Sequence, residues 1–107
     1  MIKIEPTVGN FAACGGCSVH QIFSESATRM AFKVKTSNND HYRINPVYGF
    51  IDAKGKVTME INRLDGPPKE DKCVVQYAEV PQGETDPKAP FKAEAQQGEV
   101  IFKMIAL

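Results

Sequence analysis

The side chains of this sequence best suited to hold a metal or cycle electrons are Cys14, Cys17, Cys73, His20 and His41. Cys14-Gly15-Gly16-Cys17 has the spacing that supplies two corners of a zinc tetrahedron, or the two thiols of a redox pair. Zinc needs two further ligands, usually from a second close-spaced pair, and His20, His41 and Cys73 offer no such spacing. A set of Cys14, Cys17, His20 and Cys73 closes only if Cys73 leaves the core face that its own strand pattern assigns it. A thioredoxin-like role requires a βαβ setting, and no helix can start after Cys17. The plainer reading is a Gly-Gly turn between two small neighbours, so neither a metal nor any other cofactor is expected.

Catalytic arrangements are equally sparse. The two histidines stand apart from any Ser-His-Asp-like spacing, and Ser18, Ser24, Ser26 and Ser37 sit in no nucleophile-elbow sequence. Gly15-Gly16 lacks the Lys-Ser/Thr that follows in a phosphate-binding loop. Carboxylates such as Glu60 fall on alternating polar positions, where a solvated surface is the usual meaning. No enzyme is expected.

The elements that position these residues have a period of two. Met30, Phe32 and Val34 alternate with Lys33 and Lys35; Val57, Met59 and Ile61 alternate with Thr58, Glu60 and Asn62; Cys73, Val75 and Tyr77 alternate with Lys72, Val74 and Gln76. Such alternation marks strands with one face on a core and the other in water. Val100–Leu107 alternates less cleanly, because Ile101 and Ile105 join Val100, Phe102 and Met104, and it reads as a strand covered on both sides or an edge masked by a loop. Ile2–Glu5, Val19–Ser24, Tyr42–Asn45 and Tyr48–Ile51 are weaker strands. Asp52-Ala53-Lys54-Gly55 supplies an Asx turn and a glycine for positive φ, and Pro67-Pro68 must break the chain. Pro81–Gln97 is the one long connection, where Pro90 permits no more than a helical turn.

Length and charge narrow the function classes. A chain of 107 residues makes one core, so a single domain over 1–107 is expected. Thirteen basic residues against thirteen acidic ones leave no net charge, which argues against non-specific nucleic-acid binding and against anchoring to anionic lipid. No apolar run approaches the ~20 residues of a membrane span. The short, charged start does not read as a signal peptide, and three cysteines make no secreted disulfide framework, so a cytoplasmic protein with reduced thiols is expected.

The strand faces also define a surface. With Met30, Phe32 and Val34 pointing inward, Lys35 points outward; with Cys73 and Val75 inward, Lys72 and Val74 point outward. In an immunoglobulin-like sandwich the two strands concerned are neighbours. Lys35 then lies near Lys72, with Val74 beside them and Thr36-Ser37 at the strand end, a groove suited to an acidic peptide with an apolar anchor. The competing reading is that these lysines only solubilise the sheet.

The stretch from Phe32-Lys33-Val34-Lys35-Thr36-Ser37, through Tyr42-Arg43-Ile44-Asn45-Pro46-Val47-Tyr48-Gly49-Phe50-Ile51-Asp52, to Lys72-Cys73-Val74-Val75-Gln76-Tyr77 resembles the core of the major sperm protein domain. The resemblance is specific from about Phe32 to Tyr77 and loose elsewhere. It implies an all-β, immunoglobulin-like, seven-stranded antiparallel sandwich without catalysis. It also implies two functional branches. One is the nematode sperm type, whose members assemble without nucleotide into filaments that drive amoeboid crawling. The other is the VAP-type receptor for FFAT peptides, which carry two phenylalanines in an acidic tract.

Carried over residue by residue, Lys35, Thr36 and Ser37 match the family's Lys-Thr-Thr, and Lys72 matches the lysine opening its next block. Val74 stands where the receptors have methionine, and Gln97 roughly where they have another lysine. With no coiled coil or anchor expected, these departures favour the free-standing sperm type. That reading implies a cytoplasmic, cytoskeletal module that binds itself, major sperm protein filaments or accessory sperm proteins. A soluble FFAT-type receptor is the alternative, and a zinc or redox module at Cys14 and Cys17 comes third.

Overall fold

The computed structural model describes residues 2–107. In chain order the strands are β1 (Ile2–Glu5), β2 (Val8–Phe11), β3 (Gly16–Ser24), β4 (Met30–Thr36), β5 (Tyr42–Asn45), β6 (Tyr48–Ile51), β7 (Lys56–Arg63) and β8 (Lys69–Glu79). A short helix, α1 (Ala89–Lys92), precedes the last strand, β9 (Gly98–Ala106). They form a four-stranded sheet, β1-β3-β7-β5, packed on a five-stranded one, β2-β9-β8-β4-β6. The immunoglobulin-like sandwich that the family resemblance implies is therefore the fold.

The nine segments reduce to seven runs, because two runs change sheets midway. Ile2–Phe11 leaves the four-stranded sheet after β1 and joins the five-stranded one as β2; Tyr42–Ile51 does the same between β5 and β6. Pro6 and Pro46 mark the two crossings, each after a cis peptide bond. Proline has no N–H to give a ladder, so pairing ends there. The first crossing also produces the one parallel pairing among the described residues, β2 with β9. The segment keeps its heading as it changes neighbours, and β9 runs in that heading.

The inner faces hold the core. Met30, Phe32, Val34, Met59, Ile61, Cys73 and Val75 are all buried, as their alternation predicts, with Val57 and Tyr77 half-buried against them. Each fully buried large side chain contributes roughly 1.5–3 kcal/mol of transfer free energy. Aromatic rings lie over glycines directly opposite: Phe32 pairs with Gly49 and Tyr77 with Gly98. A Cβ at Gly49 would stand 2.7 Å from the Phe32 ring, so only glycine leaves that ring its place.

Two expectations change. β9 is not covered on both sides: Phe102 and Met104 face the core, but Ile101 is 60% exposed on the outer face. The masking fails because β2 reaches only Lys103–Ala106, while the long connection packs at the other end, Phe91 of α1 lying 6.1 Å from Tyr48. In the Asp52–Gly55 turn the positive φ belongs to Lys54, not Gly55. Lys54 is held there by its N–H to the Ser26 carbonyl (2.9 Å) and its ammonium to the Glu25 carbonyl (2.7 Å). The long connection holds the single helical turn that the sequence allows, α1, with Pro90 in its first turn where its missing N–H costs nothing.

Candidate interaction face

The outer face of the five-stranded sheet is assembled by register. Lys35 of β4 lies directly opposite Val74 of β8, and Val74 directly opposite Ile101 of β9. One step along, Lys72 lies opposite Lys103, which in turn pairs with Val8 of β2. The structure thus brings Lys35, Lys72 and Val74 together as the alternation predicts, and adds Ile101 and Lys103. Those two escape a sequence reading because nothing in the β9 pattern reveals which residues of β8 it faces. The result is an apolar pair, half-buried Val74 and exposed Ile101, rimmed by lysines.

Like charges directly opposite one another across a sheet repel, so Lys72 and Lys103 raise the local positive potential. Lys103 finds a long contact to Glu70 at 3.9 Å, with both side chains mostly in water. Lys35 and Lys72 form no ion pair among the described residues. A depression of ≈ 350 Å³ beside Lys72, Ile101 and Lys103 has room for one large side chain of a partner.

Thr36 and Ser37 build the end of this face, and Ser37 lines the depression beside Lys72. Thr36 is in register with inward-facing Cys73, and its hydroxyl accepts the Asn38 N–H at 3.1 Å. The Ser37 hydroxyl donates to Asp71 at 3.1 Å and accepts the Lys72 N–H at 3.1 Å, while the Ser37 N–H donates to the Lys72 carbonyl at 2.9 Å. Asn38 Nδ2 gives Asp71 a further hydrogen bond at 3.0 Å, and the Lys69 ammonium stands 3.6 Å away. Burial pushes the Asp71 carboxyl up, but the hydrogen bonds from Asn38 and Ser37 and the Lys69 charge outweigh it and hold the pKa below its ordinary value. This knot fixes the end of β4 against β8, and with it the spacing of Lys35 and Lys72. Gln97 lies elsewhere, accepting the Glu79 N–H at 3.2 Å.

The metal set read from sequence does not converge. Cys14 and Cys17 are exposed, whereas Cys73 is fully buried, its thiol pushed up to about 12 by burial. His20 is buried too, its ring 4.5 Å from that of Phe102. Its Nδ1 must donate to the Pro6 carbonyl at 2.9 Å, which leaves Nε2 to accept from the Ser18 hydroxyl at 2.6 Å. Burial lowers the His20 pKa, only partly offset by the Pro6 bond, so the ring is a neutral core group with both nitrogens engaged. His41 contacts Asn38 instead. Among the described residues no three His, Cys, Asp or Glu side chains gather as metal ligands, and no helix is long and apolar enough to cross a membrane.

Comparison with known proteins gives a uniform result. The model of the major sperm protein domain matches residues 1–100. Sperm-specific class P protein 34 of Caenorhabditis elegans is 68% identical over 106 residues, 99% of each chain. The structure of WR4, a C. elegans MSP family member, superposes with a TM-score of 0.98 at 67% identity, over 100% of this chain and 98% of that one. The C. elegans MSP-domain protein SSP-19 gives 0.93 at 41% identity, over 97% of both chains.

Proposed function

This chain belongs to the major sperm protein domain family, and from that premise we propose that it is a non-catalytic interaction module of nematode sperm. It works in the sperm cytoplasm and cytoskeleton, packing against copies of itself, against major sperm protein filaments, or against accessory proteins of amoeboid motility. The observation that carries this reading is the face centred on half-buried Val74 and exposed Ile101, framed by the unspent charges of Lys35 and Lys72. An apolar centre with a charged rim is the anatomy of a protein-binding surface. A zero net charge leaves little global repulsion against assembly. The names of the C. elegans relatives support the cell type.

Co-sedimentation tests it. The purified protein is pelleted alone and with preassembled major sperm protein filaments; recovery in either pellet supports the reading, and absence from both overturns it. A second reading, reception of an acidic FFAT-type peptide, is favoured by the same lysines flanking Val74. Titrating such a peptide into isotope-labelled protein should shift the resonances of Lys35 and Lys72, and high salt should erase those shifts. Shifts confined to other faces dispose of the peptide reading.

A further inference from the structure

We propose that the open stretch of β9, residues 98–102, takes up an extended basic segment of a partner protein as an added strand. β9 is paired along its whole length with β8, but on its other side β2 reaches only residues 103–106. The chain that precedes β2 does not fill the gap, because Ile2–Glu5 belongs to the other sheet. The far end of the strand fixes which backbone groups are free. There the Leu107 N–H donates to the Phe11 carbonyl at 3.1 Å, and the Leu107 carbonyl accepts from the Ala13 N–H at 2.9 Å. Backbone groups of a strand return to the same edge at every second residue, so Ile105, Lys103, Ile101 and Glu99 turn theirs the same way. Among the described residues no strand faces Ile101 and Glu99 on that edge, while Val100 and Phe102 turn their backbone groups to β8.

The free edge borders a cleft of ≈ 300 Å³ whose floor is apolar, formed by Ile2 and Ile4 of β1 with Val100 and Phe102 of β9. An added strand bonds to such an edge through its backbone and places alternate side chains in the pockets beside it. The devices that usually close an edge are missing, since residues 98–102 hold no proline and turn no charge inward. Charge selects the occupant. The lysines beside the cleft are engaged, Lys3 with Glu25 at 3.6 Å and Lys103 with Glu70 at 3.9 Å. Glu5 on the cleft wall and Glu99 on the free edge form no ion pair among the described residues. A strand that alternates apolar and basic residues meets the floor with one set and Glu99 with the other, whereas an acidic strand meets like charge. This preference is opposite to that of Lys35 and Lys72, so the proposal does not rest on the face of Val74 and Ile101.

The test uses the full chain, isotope-labelled, with a short capped peptide alternating lysine and valine and a second one alternating glutamate and valine. In the free protein the Glu99 and Ile101 amides should exchange with deuterium quickly, and those of Val100 and Phe102 slowly. The lysine peptide should slow Glu99 and Ile101 at least about tenfold, and the glutamate peptide should not. Glu99→Pro removes one outward N–H but leaves the pairing with β8 and the Ile101 side chain in place, and it should abolish the protection of Ile101. Should a proline there unfold the chain, Glu5→Gln/Glu99→Gln keeps the backbone intact and should weaken the lysine peptide about tenfold at low salt. The Lys35→Glu/Lys72→Glu variant should still protect both amides, which separates this edge from the interaction face. Slow exchange of Glu99 and Ile101 in the free protein, no protection by the lysine peptide, or equal protection by the glutamate peptide would each overturn the proposal. Protection that grows with protein concentration alone would assign the edge to a second copy and overturn it too.

Discussion

On the outer face of the four-stranded sheet, Gln21 and Thr58 exchange hydrogen bonds at 3.0 and 3.2 Å from directly opposite positions, and Lys3 reaches Glu25 at 3.6 Å. On the outer face of the five-stranded sheet, Lys72 meets Lys103 and an apolar pair separates Lys35 from β2. Both faces come from the same alternation of inward apolar and outward polar residues. What differs is whether an outward residue finds its complement across the ladder. The first face pairs much of its polarity across the ladder and leaves Val19 as an exposed apolar side chain. The second leaves like charges and exposed apolar surface that only another molecule can complement.

The buried carboxylate beneath the second face gives the largest expected effect. Asp71→Ala strands the Ser37 hydroxyl and the Asn38 amide, and should lower stability by roughly 2–3 kcal/mol in urea titrations. It should also loosen the spacing of Lys35 and Lys72. Thr58→Ala, the matching deletion on the other face, should stay within about 0.5 kcal/mol, because its partner remains in water. Equal losses from the two would break the comparison.

Charge reversal follows. Lys35→Glu/Lys72→Glu should weaken partner binding at least tenfold, about 1.4 kcal/mol, with stability almost unchanged. Lys3→Glu/Lys56→Glu, which places the same charge change on the four-stranded sheet, should bind like the unmodified protein in the same pelleting assay.

The pH response should separate the sheets as well, since buried His20 lies in the four-stranded sheet and buried Asp71 in the five-stranded one. His20 has its folded pKa below the ordinary 6.5, so the unfolded chain takes up a proton first. Stability contributed by its neutral form is complete above 6.5 and declines as pH falls below it. Asp71, held below the ordinary carboxylate value, contributes stability that persists through that range and is lost only as pH drops through its own lower value. Urea midpoints measured against pH should therefore flatten just below 6.5 in His20→Gln and at lower pH in Asp71→Asn. The smallest effect is expected of Ile101→Thr: within about 0.5 kcal/mol in stability, yet a measurable loss of binding. Undiminished binding would remove Ile101 from the face.

Much of this was legible in the residues. The period-two patterns of β4, β7 and β8 assign the inner faces correctly, because a half-buried strand writes its burial directly into its sequence. Lys35, Lys72 and Val74 follow from those patterns plus one neighbour relation. Ile101 and Lys103 do not, since register is a property of two strands and neither carries it alone. The crossings at Pro6 and Pro46 are hidden for a related reason: a proline announces that pairing stops, but not that the chain resumes in the other sheet. Thr36 and Ser37 look like ligand hydroxyls in one dimension. Only the fold reveals Asp71 as the acceptor that occupies Ser37, and the Asn38 N–H that occupies Thr36.

The two crossing runs have a mechanical consequence. β1–β2 and β5–β6 lie at opposite edges of the sandwich, so each covalently stitches one sheet to the other. In most sandwiches the layers adhere only through side chains and the loops at their ends. Here any sliding of one layer over the other must drag both stitched edges and tear hydrogen-bonded pairs from each sheet together. A load applied to one outer face is therefore carried into the far layer along the backbone itself. The strength of the unit therefore does not rest on packing alone.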